Sequence, residues 1–230
     1  MRCVHRHLSG ARVAAGAEAS VGERRAVHAV PGLHRGLPEG CGVGVTVHPI
    51  EAESYRIMAG RVDLSHLAST ERAVVERVIH ASADFEYATT MCFDDGAVEA
   101  AIDALRAGAP VVTDVEMVRA GIPGAMCHLP ASAGTAPTRS AAGIREAAAL
   151  YPRGAVVVVG CAPTALVEAI ERDWEPAAIV GLPVGFVGAA ESKSAARASR
   201  HPTITNVGEK GGSAVAAAAV NALRRLADAH

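Results

Sequence analysis

Aromatic side chains make up only 3% of the 230 residues, so any core must be built from Ala, Val, Leu and Ile. Half the chain is hydrophobic, which is enough for a sizeable core. No apolar run approaches the roughly 20 residues that a membrane-spanning helix needs. The early basic residues are not followed by an apolar stretch of signal-peptide type, so no secretory leader is expected. The five cysteines are scattered and lack C-x-x-C spacing, which argues against a disulfide framework or a structural zinc site. A reduced, cytoplasmic setting is the expectation. Charge is also sparse: charged residues are 20% and the formal net charge is −2, which gives no electrostatic case for nucleic acid or an anionic membrane as partner. Lysine occurs only as Lys193 and Lys210; the other cationic side chains are arginine.

Residues 1–46 are rich in Arg, His, Gly and Ala and lack a sustained apolar period, so a disordered N-terminal extension is expected there, followed by a single domain over 47–230. From His48 onward the pattern is regular. Helices are predicted over 51–62, 70–82, 96–107, 115–120, 140–150, 164–172, 189–199 and 213–227. Ser69 is the predicted N-cap of the second helix, with Arg72 where a capping box would place Glu. Strands are predicted over 89–93, 110–113, 125–129, 155–159, 177–180 and 203–205. Strands alternating with helices of about ten residues imply βαβ units. The expected fold class is α/β: three α/β/α layers around a mostly parallel, Rossmann-like sheet. The run Val156-Val157-Val158-Val159 is apolar on both faces, as a central parallel strand should be.

Ligands of open parallel sheets bind beyond the carboxyl ends of the strands. Three glycine-rich junctions fall there: Gly160-Cys161-Ala162-Pro163-Thr164, Gly181-Leu182-Pro183-Val184-Gly185-Phe186-Val187-Gly188, and Asn206-Val207-Gly208-Glu209-Lys210-Gly211-Gly212-Ser213. Glycine admits close backbone approach and helix N-termini offer N–H groups to anions, so an anionic ligand is one reading and simple tight turns the other. Neither nucleotide fingerprint is met. The order Glu209-Lys210-Gly211-Gly212-Ser213 is wrong for a Walker A loop, and Gly181, Gly185 and Gly188 miss the dinucleotide spacing.

Among the ten histidines, His80 stands out. It lies near the end of a predicted helix, with Arg77 one turn before it and Asp84 four residues on. A helix end and a nearby carboxylate can tune an imidazole across neutral pH, so an acid–base role is open beside a purely structural one. His48, His66, His128 and His201 lack metal-like spacing, and structural or surface roles are expected for them.

Several motifs together resemble the precorrin-8X methylmutases. They are Thr138-Arg139-Ser140-Ala141-Ala142, Gly160-Cys161-Ala162-Pro163-Thr164-Ala165-Leu166, the loop from Gly181 to Gly188 continued by Ala189-Ala190-Glu191-Ser192-Lys193, and Lys210-Gly211-Gly212-Ser213-Ala214. The segment from Ala107 to Val118, with Thr113-Asp114-Val115-Glu116 at its centre, belongs to the same set. The resemblance runs from about His48 to Leu226. The chain departs from the family pattern at Cys161, where Asn is usual, at Ala81-Ser82 after the key histidine, and in a shorter stretch over 128–137.

The resemblance implies an isomerase that moves a methyl group from C-11 to C-12 of precorrin-8X, giving hydrogenobyrinic acid, or cobyrinic acid when cobalt is already inserted. It implies His80 as the acid acting at the ring C nitrogen, without a metal, nucleotide or redox cofactor. The substrate is a polycarboxylate tetrapyrrole. Its acid arms would be bound by Arg139 and Arg77, with Ser54, Ser140, Thr164, Lys210, Gly211, Gly212 and Ser213 as further contacts. Ser140, Thr164 and Ser213 also have a plain reading as helix caps. The family further suggests a homodimer. Two rival classes are a tetrapyrrole carrier without catalysis and a nucleotide-dependent α/β enzyme.

Overall fold

The structure is a computed structural model that describes residues 2–3 and 48–229. The extension expected over 1–46 lies outside the described residues, apart from Arg2 and Cys3. Five parallel strands form the body of the sheet: β3 (Val111–Thr113), β4 (Met126–Cys127), β5 (Val156–Val159), β6 (Ala178–Gly181) and β7 (Thr203–Asn206). β2 (Met91–Phe93) pairs antiparallel with β7, Met91 opposite Asn206, and β1 (Arg2–Cys3) pairs antiparallel with β2. The order is β1-β2-β7-β6-β5-β3-β4. The expected mostly parallel sheet is present, with antiparallel strands confined to one edge.

β5 explains the three layers. Side chains alternate across a strand, so Val156 and Val158 enter one apolar cluster while Val157 and Val159 enter another. All four are fully buried, each contributing about 1.5–3 kcal/mol relative to exposure. The first cluster is closed by α2 (Ser69–Ser82), α4 (Ala97–Arg106) and α9 (Ser213–Asp228). The second is closed by α6 (Arg139–Leu150), α7 (Pro163–Glu171) and α8 (Ala189–Arg197). Alanine stripes on these helices let them sit close to the sheet, which offsets the shortage of aromatics. Trp174 fills the second cluster and donates its indole N–H to Ala169 O at 2.7 Å.

The differences from expectation are local. α1 spans Pro49–Ala59 rather than 51–62: His48 caps it, its Nδ1 accepting from Ile50 N at 3.3 Å, Pro49 opens it, and Gly60 ends it. The N-cap of α2 is Ala68, not Ser69. The shift of one residue puts Glu71, not Arg72, at the third position, where its carboxylate accepts from Ala68 N at 3.3 Å. The predicted strand 89–93 begins instead as a short helix, α3 (Tyr87–Thr90). Thr89 and Thr90 are β-branched and read as strand, but both hydroxyls donate to Glu86 O and hold the turn. α5 (Glu116–Ala120) lies between β3 and β4 as expected. None of Ser140, Thr164 and Ser213 is an N-cap. Those positions are Thr138, Ala162 and Gly212, two residues before Ser140 and Thr164 and one before Ser213, so the three hydroxyls fall inside the first turn of their helices.

Candidate active site

The three glycine junctions follow β5, β6 and β7 and lie with the carboxyl end of β3 along one rim. The start of α1 and the end of α2 meet beside it. Glu51, Ser54, Tyr55 and Met58 recur at three- and four-residue spacing and form the α1 face turned to α2. Ser54 Oγ lies 2.9 Å from His80 Nδ1. The Tyr55 ring stacks on the imidazole, centroids 5.2 Å apart and planes 14° from parallel. Glu51 Oε1 receives Arg77 at 2.6 Å and Arg225 at 3.0 Å. Burial raises the Glu51 carboxyl, but Arg225, Arg77 and the nearby His80 more than reverse this and hold it below the ordinary carboxylate value.

His80 is therefore half-buried, with one ring nitrogen engaged and one face covered. A hydroxyl both donates and accepts, so Ser54 can satisfy Nδ1 whether His80 is neutral with its proton on Nε2 or fully protonated. In both states Nε2–H remains a proton donor, and among the described residues no hydrogen bond is recorded to it. The carboxylate near the imidazole is Glu51. Asp84, singled out by its spacing, turns elsewhere: α2 ends at Ala83 in the left-handed conformation (φ 53°), and Asp84 accepts from Lys210 Nζ at 2.6 Å.

The glycine junctions are more occupied than their sequences suggest. Asp114, 1% exposed at the end of β3, accepts from Gly160 N at 3.1 Å, Cys161 N at 2.9 Å and Ala162 N at 2.8 Å. The amides that could have bound a ligand carboxylate at this junction are taken by the protein's own carboxylate. Burial pushes the Asp114 carboxyl up, and the three amides only partly oppose it. The departure at Cys161 leaves this geometry intact because its backbone, not its side chain, makes the bond. Its thiol is itself raised by burial and by Asp114, so it is no activated nucleophile.

At the third junction, Gly212 N donates to Leu182 O at 2.9 Å, and Lys210 is paired with Asp84 and with Glu86 at 2.9 Å. Gly211 is packed so closely that a Cβ would stand 2.2 Å from Leu182 O, which no other residue could tolerate. Ser213 opens α9 directly behind these glycines. At the second junction Gly185 N donates to Glu209 O at 3.1 Å, binding the two loops to each other, and Val184, Phe186 and Val187 stand exposed.

A family model described as precorrin-8X methylmutase matches residues 49–226. The chain belongs to the precorrin-8X methylmutase family. A cobalt-precorrin-8 methylmutase of Methanothermobacter thermautotrophicus is 46% identical over 175 residues, covering 71% of this chain and 84% of that protein. A precorrin-8X methylmutase of Pseudomonas aeruginosa is 37% identical over 195 residues, covering 76% and 93%. The solved structure of precorrin-8X methylmutase from Thermus thermophilus matches with a TM-score of 0.71 at 39% identity, covering 77% of this chain and 95% of that one.

Within this methylmutase fold the expected contact residues separate into groups. Ser54, Arg77 and His80 converge on the α1–α2 seam, although the Arg77 guanidinium is paired with Glu51. Lys210, Gly211, Gly212 and Ser213 line the adjoining rim and are joined to α2 by the Lys210–Asp84 pair. Arg139 and Thr164 belong to a different junction. Arg139 is exposed at the start of α6 and donates through Nε to Pro130 O at 2.7 Å, while Thr164 Oγ1 meets Thr138 Oγ1 at 2.8 Å. Ser140 follows on the same helix. Sequence reasoning missed Glu51, Tyr55 and Asp114. The first two carried a signal in the spacing 51, 54, 55, 58, whereas Asp114 needed the tertiary structure to show which loop it holds.

Proposed function

We propose that this chain catalyses the methyl shift from C-11 to C-12 of the precorrin-8X macrocycle in cobalamin biosynthesis, with His80 as the acid. The observation that carries this reading is the mounting of His80: Ser54 at Nδ1, Tyr55 across one face, and Nε2 left as the donor. The reaction is an internal rearrangement. The bond from the methyl carbon to C-11 breaks as a bond to C-12 forms, and no electrons are gained or lost overall. Proton donation or a strong hydrogen bond to the ring C nitrogen draws electron density toward it and favours the shifted, conjugated product. General acid catalysis of this kind typically supplies about 10² to 10⁴ in rate.

The substrate is a flat, polycarboxylate tetrapyrrole, and the guanidinium of Arg139, exposed at the start of α6, suits its acid arms. Arg139 and Ser140, with Thr164 beside them, are assigned to its acid arms on one side and Lys210 to Ser213 on the other. Relatives named for the metal-free and the cobalt-bearing substrate are both similar to this chain. No helix of the described residues is long and apolar enough to cross a membrane, and a cytoplasmic enzyme fits the reading. A homodimer fits the exposed Val184, Phe186 and Val187.

The test is turnover of precorrin-8X and cobalt-precorrin-8 side by side, followed by the absorbance of the corrin product. Conversion without added cofactor, lost in a folded His80→Ala variant, is expected. Tight binding with no product spectrum would instead make the chain a carrier, and full activity of His80→Ala would remove the acid role.

A further inference from the structure

The two lysines of the chain meet at one loop. Lys193 lies in the middle of α8 and is completely buried. Its Nζ donates to Asn206 Oδ1 at 3.0 Å and to the carbonyl of Lys210 at 2.6 Å. Asn206, also fully buried, donates its Nδ2 to the same Lys210 carbonyl at 2.9 Å and to Val207 O at 3.2 Å. One turn along α8, Arg197 donates to Asn206 O at 3.1 Å and Thr205 Oγ1 at 3.2 Å. Both cations on this face of α8 thus grip the end of β7 and the loop that follows it.

Burying an ammonium among neutral acceptors is costly. Burial, together with the charge of Arg197, pulls the Lys193 amine down to about 8. A helix face that only had to pack would carry Leu or Met there. The compact, three-donor ammonium on a flexible stem reaches two acceptors at once, one at the end of β7 and one on the loop beyond it. What the amine holds is the 207–212 loop. That loop carries Lys210 onto Asp84 and Glu86 just beyond the end of the His80 helix, and through Glu209 O it holds Gly185 of the neighbouring loop.

We propose that Lys193, with Asn206, is a positioning residue that fixes the 207–212 loop and so places Lys210 and its neighbouring amides to grip the acid arms of the substrate. Lys193 does not touch the substrate; it acts through the loop. The substrate half of this inference rests on the methylmutase reading, whereas the positioning half does not.

The experiment uses the full chain with Lys193→Met, Lys210→Ala and the double variant. Hydrogen exchange of the 207–213 amides is expected to quicken at least about tenfold in Lys193→Met, with β5 and β6 unchanged; unchanged exchange in the loop overturns the proposal. KM is expected to rise about tenfold in Lys193→Met with kcat within about threefold, and the double variant should be no worse than the poorer single one. Additive losses mean that Lys193 acts independently of Lys210, and would also overturn it. Should Lys193→Met fail to fold, Asn206→Asp keeps an acceptor for Nζ but loses both Nδ2 bonds. It is expected to quicken exchange over 207–212 several-fold, and no change there again sinks the idea. If the wild type turns over neither macrocycle, the methylmutase reading fails while the exchange result still decides the positioning role.

Discussion

Ser54 on α1 and His80 on α2 are 26 residues apart in sequence and 2.9 Å apart in space. The hydroxyl is the group that partners Nδ1, and where it donates there the ring proton sits on Nε2. A single hydrogen bond of this kind is worth about 0.5–1.5 kcal/mol, which converts to about tenfold in rate near its upper end. Ser54→Ala is expected to lower kcat by about that factor and to move the nitrogen-15 shifts of the His80 ring. Unaltered shifts together with unaltered kcat would show that Ser54 does not set the imidazole.

Glu51 anchors α1 through both Arg77 and Arg225. Its carboxyl is held below the ordinary value of 4.5, so the folded chain releases this proton more readily than the unfolded one. The stabilisation is present above that ordinary value and is lost as pH falls through the lower, folded one. Glu51→Gln should lower the melting temperature by a few degrees at neutral pH. The gap between variant and wild type should close in acid, as measured by thermal melts from pH 7 downward.

Lys193 has the opposite sign. Its amine falls from 10.5 to about 8 on folding. Between these values the unfolded chain keeps a proton that the folded chain has released, so this group makes stability rise with pH across that window. Relative to Lys193→Met, the wild type is expected to gain about 3 kcal/mol between pH 8 and 10.5, at 1.36 kcal/mol per unit. Guanidinium denaturation at a series of pH values measures it, and a flat difference would mean that the amine is not desolvated.

Asp114 satisfies three backbone amides at the end of β5. Asp114→Ala leaves them without an acceptor, at about 1–3 kcal/mol for each buried group that water cannot reach. A fall in melting temperature of roughly 6–12 °C is expected for a total near 3 kcal/mol in a chain of this size. A smaller fall would show that water replaces the carboxylate there.

Much of the architecture was legible because it depends on short-range pattern. The apolar run at 156–159 marked an inner strand, and the 3.6-residue stripes of α2 and α9 marked helices that cover it. What misled was competition between local rules: Thr89 and Thr90 favour strand by shape, yet their hydroxyls close a helical turn on Glu86. The site was legible in kind but not in partnership. Asp84 lies four residues from His80 and pairs with Lys210, whereas Glu51, far away in sequence, shares the Arg77 and Arg225 cluster beside the imidazole.

By itself, then, the sequence determined the alternation of strands and helices, the glycine junctions at strand ends and the motifs that mark the family, since each of these is written in neighbouring residues. Only the tertiary structure decided how His80 is mounted, that Asp114 fills the first junction with its own charge, and that Lys193 stands beneath the third. Those are contacts between elements 26 to 48 residues apart, or 13 to 17 in the case of Lys193. They follow from how the helices settle on the sheet, where packing and the need to pair every buried polar group choose among partners that the chain order leaves open.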